Sequence, residues 1–141
     1  MIVKRLLKTW RVLAATSLAE LFGGLVLNGP SGSPITTVTY STTPTINASL
    51  GNMFVMTITD AVAFVFAAPT NTLPVTIGQE ITIICRNTSG GAHGAGTFNA
   101  VFKTVAAPFP AIATGQNRTI GFRWNGTNWV ETFRSAADVA N

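Results

Sequence analysis

Charge is what this chain most lacks. Only 10% of its 141 residues are charged, against the roughly 25% usual in soluble domains. It has one cysteine, one histidine, one tyrosine and five acidic residues. A single cysteine, Cys85, permits no internal disulfide, so the fold does not depend on an oxidising compartment. Cys85 lies in an apolar strand-like run, Ile81–Arg86, and reads as a small buried hydrophobe. A single histidine, His93, with no Asp, Glu or Cys within five residues, forms neither a metal cluster nor a catalytic relay. It reads as a solvated loop residue. The acids after residue 28 are Asp60, Glu80, Glu131 and Asp138, scattered singly. They would make a glycosidase pair only by converging in space. The expectation is a non-enzyme without metal or cofactor.

Long apolar runs are missing as well. Before Glu20 the longest uncharged piece is Val12–Ala19, well short of the about 20 residues needed to cross a bilayer. Basic residues cluster only at the start, where Lys4, Arg5, Lys8 and Arg11 stand against Glu20 alone. The remainder has five basic and four acidic side chains and so is nearly neutral. Without clustered Lys and Arg interleaved with aromatics, nucleic-acid binding is not expected.

What the chain does have is 47% apolar residues, abundant Thr and Asn, 13 Gly and 7 Pro. β-branched residues favour strands and the Gly and Pro supply turns. A surface so poor in charge favours packing against neighbours, and an oligomer is expected.

Residues 1–27 differ from the rest. Leu7, Trp10, Ala14, Leu18, Leu21 and Leu25 recur at helical spacing and form one apolar stripe, while Lys4, Lys8 and Arg11 fall on another face. This predicts an amphipathic N-terminal helix. Trp10, Arg11 and Glu20 interrupt the apolar core that a secretory signal would need. Docking on a protein partner is the preferred reading, and binding at an anionic membrane surface the alternative. Residues 28–34, NGPSGSP, read as a linker.

From Ile35 the period becomes two. Val38 and Tyr40 alternate with threonines. Thr45–Leu50, Met53–Thr59, Ala61–Phe66, Glu80–Arg86 and Thr97–Lys103 follow as strand-like runs, with turns at Gly51-Asn52 and Thr59-Asp60. Near-continuous runs such as MFVMTIT suit strands buried on both faces, or covered on one by another subunit. The segment 106–112, with Pro108 and Pro110, cannot be a central strand. The glycine-rich stretch 87–96 lacks the Lys-Ser/Thr ending of a phosphate loop. Asn47, Asn87, Asn117 and Asn125 each begin an N-x-S/T triplet, which matters only in a eukaryotic secretory pathway. About eight strands predict an all-β fold over residues 35–141, an antiparallel β-sandwich of jelly-roll type.

The closing hairpin is the best-determined core. Asn125-Gly126 between aromatic runs is a strong turn signal. A two-residue loop would pair Phe122 with Trp129. A four-residue loop would pair Trp124 with Trp129 and Ile120 with Phe133. Either register puts Ile120, Phe122, Trp124, Trp129 and Phe133 on one face. Trp124 and Trp129 read as cross-strand core partners, with a carbohydrate-stacking platform as the alternative. Arg118, Arg123 and Arg134 would solvate the outer face or pair with Glu131.

The segment Gly121–Glu131 (GFRWNGTNWVE), together with Asn87–Ala92 and Thr97–Lys103, resembles small β-modules of tailed-phage virion proteins, found at tail-fibre C-termini and among head-decorating proteins. The resemblance covers about residues 45–141. It implies a β-sandwich that assembles as a homotrimer on a virus particle and carries no catalytic residues. A fibre would have a long shaft before this module, and here only a helix and a short linker precede it. A capsid decoration (cement) protein on the virion surface is therefore expected. Its N-terminal arm would clamp the major capsid protein or another virion protein through Leu7, Trp10, Leu18 and Leu21, steered by Lys4, Lys8 and Arg11. A glycan-binding tail- or head-fibre tip is the alternative, and a membrane-docked or secreted carbohydrate-binding module the second.

Overall fold

The computed structural model describes residues 34–71, 77–91, 96–106 and 110–141, all within the compact unit Ser33–Asn141. The expected N-terminal helix, and the linker apart from Pro34, lie outside the described residues. What is described is nearly all β. Among the described residues nine strands run in chain order: β1 Ile35–Val38, β2 Met53–Ile58, β3 Val65–Phe66, β4 Glu80–Asn87, β5 Thr97–Phe98, β6 Phe102–Lys103, β7 Gln116–Trp124, β8 Trp129–Arg134 and β9 Val139–Ala140. A 3-10 turn, Ala48–Leu50, stands where a short strand was expected.

The main sheet has the order β1-β2-β4-β7-β8-β6, with β9 paired to β7, while β3 and β5 pair separately. It is mixed, which corrects the antiparallel expectation. β1 pairs with β2, and β2 with β4, both in parallel. Strands β4, β7 and β8 are antiparallel neighbours, and β6 joins β8 in parallel. The connections explain the parallel half. After each of β1, β2 and β4 the chain enters a second set of parallel pairings before returning. Val65 and Ala67 N–H donate to the carbonyls of Thr42 and Pro44, and Thr70 N–H to that of Ile46. Thr97 and Asn99 N–H donate in turn to the carbonyls of Phe64 and Phe66. Each excursion carries the chain back to the end where it began, so the next main strand runs the same way.

Alternation places the core. Phe54, Met56 and Ile58 on β2, Ile81, Ile83 and Cys85 on β4, and Ile120 and Phe122 on β7 are buried. They form one apolar cluster with Ile46, Phe64, Phe66, Phe102 and Trp129. Phe66 stacks on Phe98 at 5.2 Å, and Phe98 meets Phe122 edge-on at 5.4 Å, joining the two sets of strands. Each fully buried large side chain contributes about 2–3 kcal/mol before the ordering entropy is counted.

The hairpin adopts the four-residue loop, with Trp124 opposite Trp129. The Asn125 carboxamide oxygen accepts from Thr127 N–H (2.9 Å) and Asn128 N–H (2.8 Å), and Gly126 takes φ +98°. A β-bulge between Gly121 and Phe122 then breaks the expected parity. Phe122 faces Glu131 but Gly121 faces Phe133, so β8 holds one extra residue and Ile120 pairs with Arg134. An inserted residue turns every later side chain to the opposite face. Ile120, Phe122 and Trp129 are buried and Trp124 is partly buried, whereas Phe133 is 50% exposed and is not part of the hairpin core.

Candidate functional site

The seven proposed anchor residues, Lys4, Leu7, Lys8, Trp10, Arg11, Leu18 and Leu21, lie outside the described residues, as does His93. The chemistry that can be placed belongs to the β body. Its four carboxylates stay apart, each tied to its own partners. Glu80 on β4 pairs with Arg123 across the β4–β7 ladder. Asp138 pairs with Arg118 and also accepts Ala113 N–H at 2.9 Å. Glu131 pairs with Arg134 and accepts Val105 N–H at 2.8 Å. Asp60 accepts Val62 N–H at 2.8 Å and lies 2.8 Å from the Tyr40 hydroxyl.

These contacts set the proton affinities. The Arg134 guanidinium beside Glu131 holds its carboxyl below the usual range, helped by the Val105 N–H and opposed by burial. The Ala113 N–H, then Arg118, does the same for Asp138. Burial, with Asp60 beside it, pushes the Tyr40 hydroxyl up to about 12. Burial alone pushes the Cys85 thiol up to about 12, which leaves almost no thiolate near neutrality. Among the described residues no group of three or more His, Cys, Asp or Glu could hold a metal. Nor is any described helix long and apolar enough to cross a membrane.

Trp124 and Trp129 meet with ring centroids 5.5 Å apart at 47°, the cross-strand pair expected at the mouth of the turn. Both indole N–H groups are buried and lack an acceptor among the described residues. An unpaired buried N–H costs on the order of 1–3 kcal/mol.

A role that the sequence reading missed belongs to the asparagines. In three of the four N-x-S/T triplets the Asn oxygen accepts the N–H two residues on: Asn47 from Ser49, Asn87 from Ser89 and Asn125 from Thr127. Asn99 does the same for Val101, and Asp60 for Val62. These are Asx turns, and the preference of such turns for Asn followed by small polar residues is the signal that could have revealed them. Asn87 is fully buried at the end of β4 and donates to the carbonyls of Gly91 (2.9 Å) and Ile112 (2.7 Å).

One concavity lies along β1. A groove of about 330 Å³ is lined by Thr36, Thr39, Ser41, Thr43, Thr45 and Asn47, with Val38, Leu50 and Phe54 supplying its apolar part. None of its lining residues is charged. Such a lining can meet a neutral ligand with both hydroxyl and hydrocarbon surface. Comparison with protein-family models, with curated proteins and with solved structures finds no match to this chain.

Proposed function

We propose that this chain is a non-enzymatic virion structural protein, a capsid decoration (cement) protein that trimerises on a phage head and stabilises the shell. The observation that carries this reading is how its polar and apolar groups are used. Every carboxylate of the body is engaged within the body, while large apolar side chains such as Ile35 (63%) and Val105 (86%) stand exposed. That is the chemistry of lasting contact, not of proton transfer or nucleophilic attack. The body is taken as a two-layer sandwich, and its parallel pairings favour a wound coil over a jelly roll. The helix-linker-body layout of the sequence supplies the clamp on a capsid neighbour.

Quantitative mass spectrometry of purified particles tests the role. Copy numbers of the same order as the major capsid protein support it, and absence from every particle sinks it. Changing Trp10 and Leu18 to Asp should abolish particle binding while the body stays folded.

A second reading is a fibre-tip module that binds host glycans. The hydroxyl-lined groove beside β1 favours it, since an uncharged cleft of about 330 Å³ suits a short neutral saccharide. A few copies per particle, with binding to cell envelopes lost on Thr39→Val and Thr43→Val, would move the assignment there.

A further inference from the structure

The main sheet has a second face, turned away from the apolar cluster, and the strand register defines it. Ile35 pairs with Met53, Met53 with Thr82, Thr82 with Gly121 and Gly121 with Phe133, one row across five strands. Thr37, Val55, Ile84 and Thr119 make the neighbouring row. Between these rows Phe54, Ile83 and Ile120 are buried in the core, so alternation turns both rows outward.

A sheet face left to water is ordinarily polar. Here Met53, Val55 and Ile84 occupy its centre, with Ile35 63% and Phe133 50% exposed at its two sides. No ionisable side chain stands in either row. The Glu80–Arg123 pair borders one end, and the exposed Arg86 borders the other.

We propose that this face is the contact between copies of this chain, each copy laying its two uncharged rows against another's. Charge complementarity selects the occupant. A charged partner would have its ions stripped of water against rows that offer them nothing. A second copy brings the same neutral rows, and its Glu80–Arg123 border has one charge of each sign to set against the first. Five strands at about 4.8 Å span roughly 24 Å, and two rows at about 6.6 Å each take roughly 13 Å along the strands, so the face covers roughly 310 Å², under half the ~800 Å² per partner of a standard interface. The association is accordingly concentration-dependent. The proposal deepens the oligomer in the reading above but does not require a virion.

The test is sedimentation velocity of the purified full chain over a range of concentrations, with no particles present, so that failure of capsid docking leaves the outcome unaffected. The wild type should pass from monomer to dimer or trimer. Ile35→Lys, at a site exposed enough to leave folding unchanged, and Val55→Lys should each weaken association by at least about tenfold, because every copy would desolvate an unpaired ammonium. Val65→Lys and Ile77→Lys, at exposed apolar sites off this face, should associate as the wild type does. Thermal melting followed by circular dichroism checks each fold, and if Val55→Lys fails to melt cooperatively, Ile35→Lys decides alone. A wild type that stays monomeric, face variants that associate normally, or off-face variants that lose association equally would each overturn the proposal.

Discussion

The aromatic ring of Phe133 covers the bare Cα of Gly121, its partner across the β7–β8 ladder, and occupies the space a Cβ there would need. The contact explains why a glycine sits inside a nine-residue strand, where it would ordinarily weaken pairing. The neighbouring bulge is what turns Phe133 away from the core and onto this glycine. Gly121→Ala should therefore push the ring aside and cost about 1–2 kcal/mol. In a Phe133→Ala background, itself destabilised by about 1 kcal/mol, the same change should cost less than half as much. Chemical denaturation of the four proteins measures the coupling, and strictly additive costs would show that the two residues do not act together.

Asn87 should be the least replaceable polar residue of the body. It is fully buried, and its amide donates to two carbonyls while its oxygen accepts from the Ser89 N–H and hydroxyl. Asn87→Asp removes the donor and sets a carboxylate against the Gly91 and Ile112 carbonyls. A loss of about 3 kcal/mol or more in urea denaturation at pH 7 is expected, exceeding that of Asn87→Ala. Equal stability of Asn87→Asp and wild type would contradict this account.

Acid should destabilise the body through Glu131 and Asp138. Both carboxyls ionise at lower pH in the folded chain than in the unfolded one. Their contribution is therefore complete above the ordinary carboxylate range and is lost as pH falls through their depressed folded values. Glu131→Gln and Asp138→Asn should each lower stability at pH 7 by about 1 kcal/mol, and the double variant should flatten the acid limb of the stability curve. Denaturant midpoints measured from pH 7 down to about pH 2 would reveal it; an unchanged acid limb in the double variant would exclude these two groups as its source.

Cys85 should report global opening. With its pKa raised from 9.0 to about 12, the folded chain holds roughly a thousandth of the unfolded chain's thiolate at pH 8, besides being fully enclosed. A disulfide reagent should label it at the rate of whole-body unfolding, and prompt labelling of the native protein would contradict its burial. Because the folded state binds this proton more tightly, the group's contribution is intact below the unfolded pKa and is lost as pH rises toward about 12.

Local patterns in the sequence carried the elements that local forces decide. The near-continuous apolar runs MFVMTI and EITIICRN mark β2 and β4, because strand-forming residues that leave water are concentrated there. Asn125-Gly126 marks the hairpin, because a side-chain acceptor and a residue free to take positive φ both lie within the turn. The remaining features arise from contacts between distant segments. Parallel and antiparallel strands share the same two-residue period, so no alternation could reveal that β1, β2 and β4 run alike; the paired excursions between them settle it. Nor could parity place Phe133, since one bulged residue reverses a face and lays its ring over Gly121. Single charges scattered along the chain became the pairs Arg118–Asp138 and Arg123–Glu80 only when distant strands met. Which residues leave water and where the chain reverses can be read along the chain, because both depend on neighbours a few residues away. Strand direction, facing and charge pairing depend on neighbours brought from afar, and only the folded chain decided them.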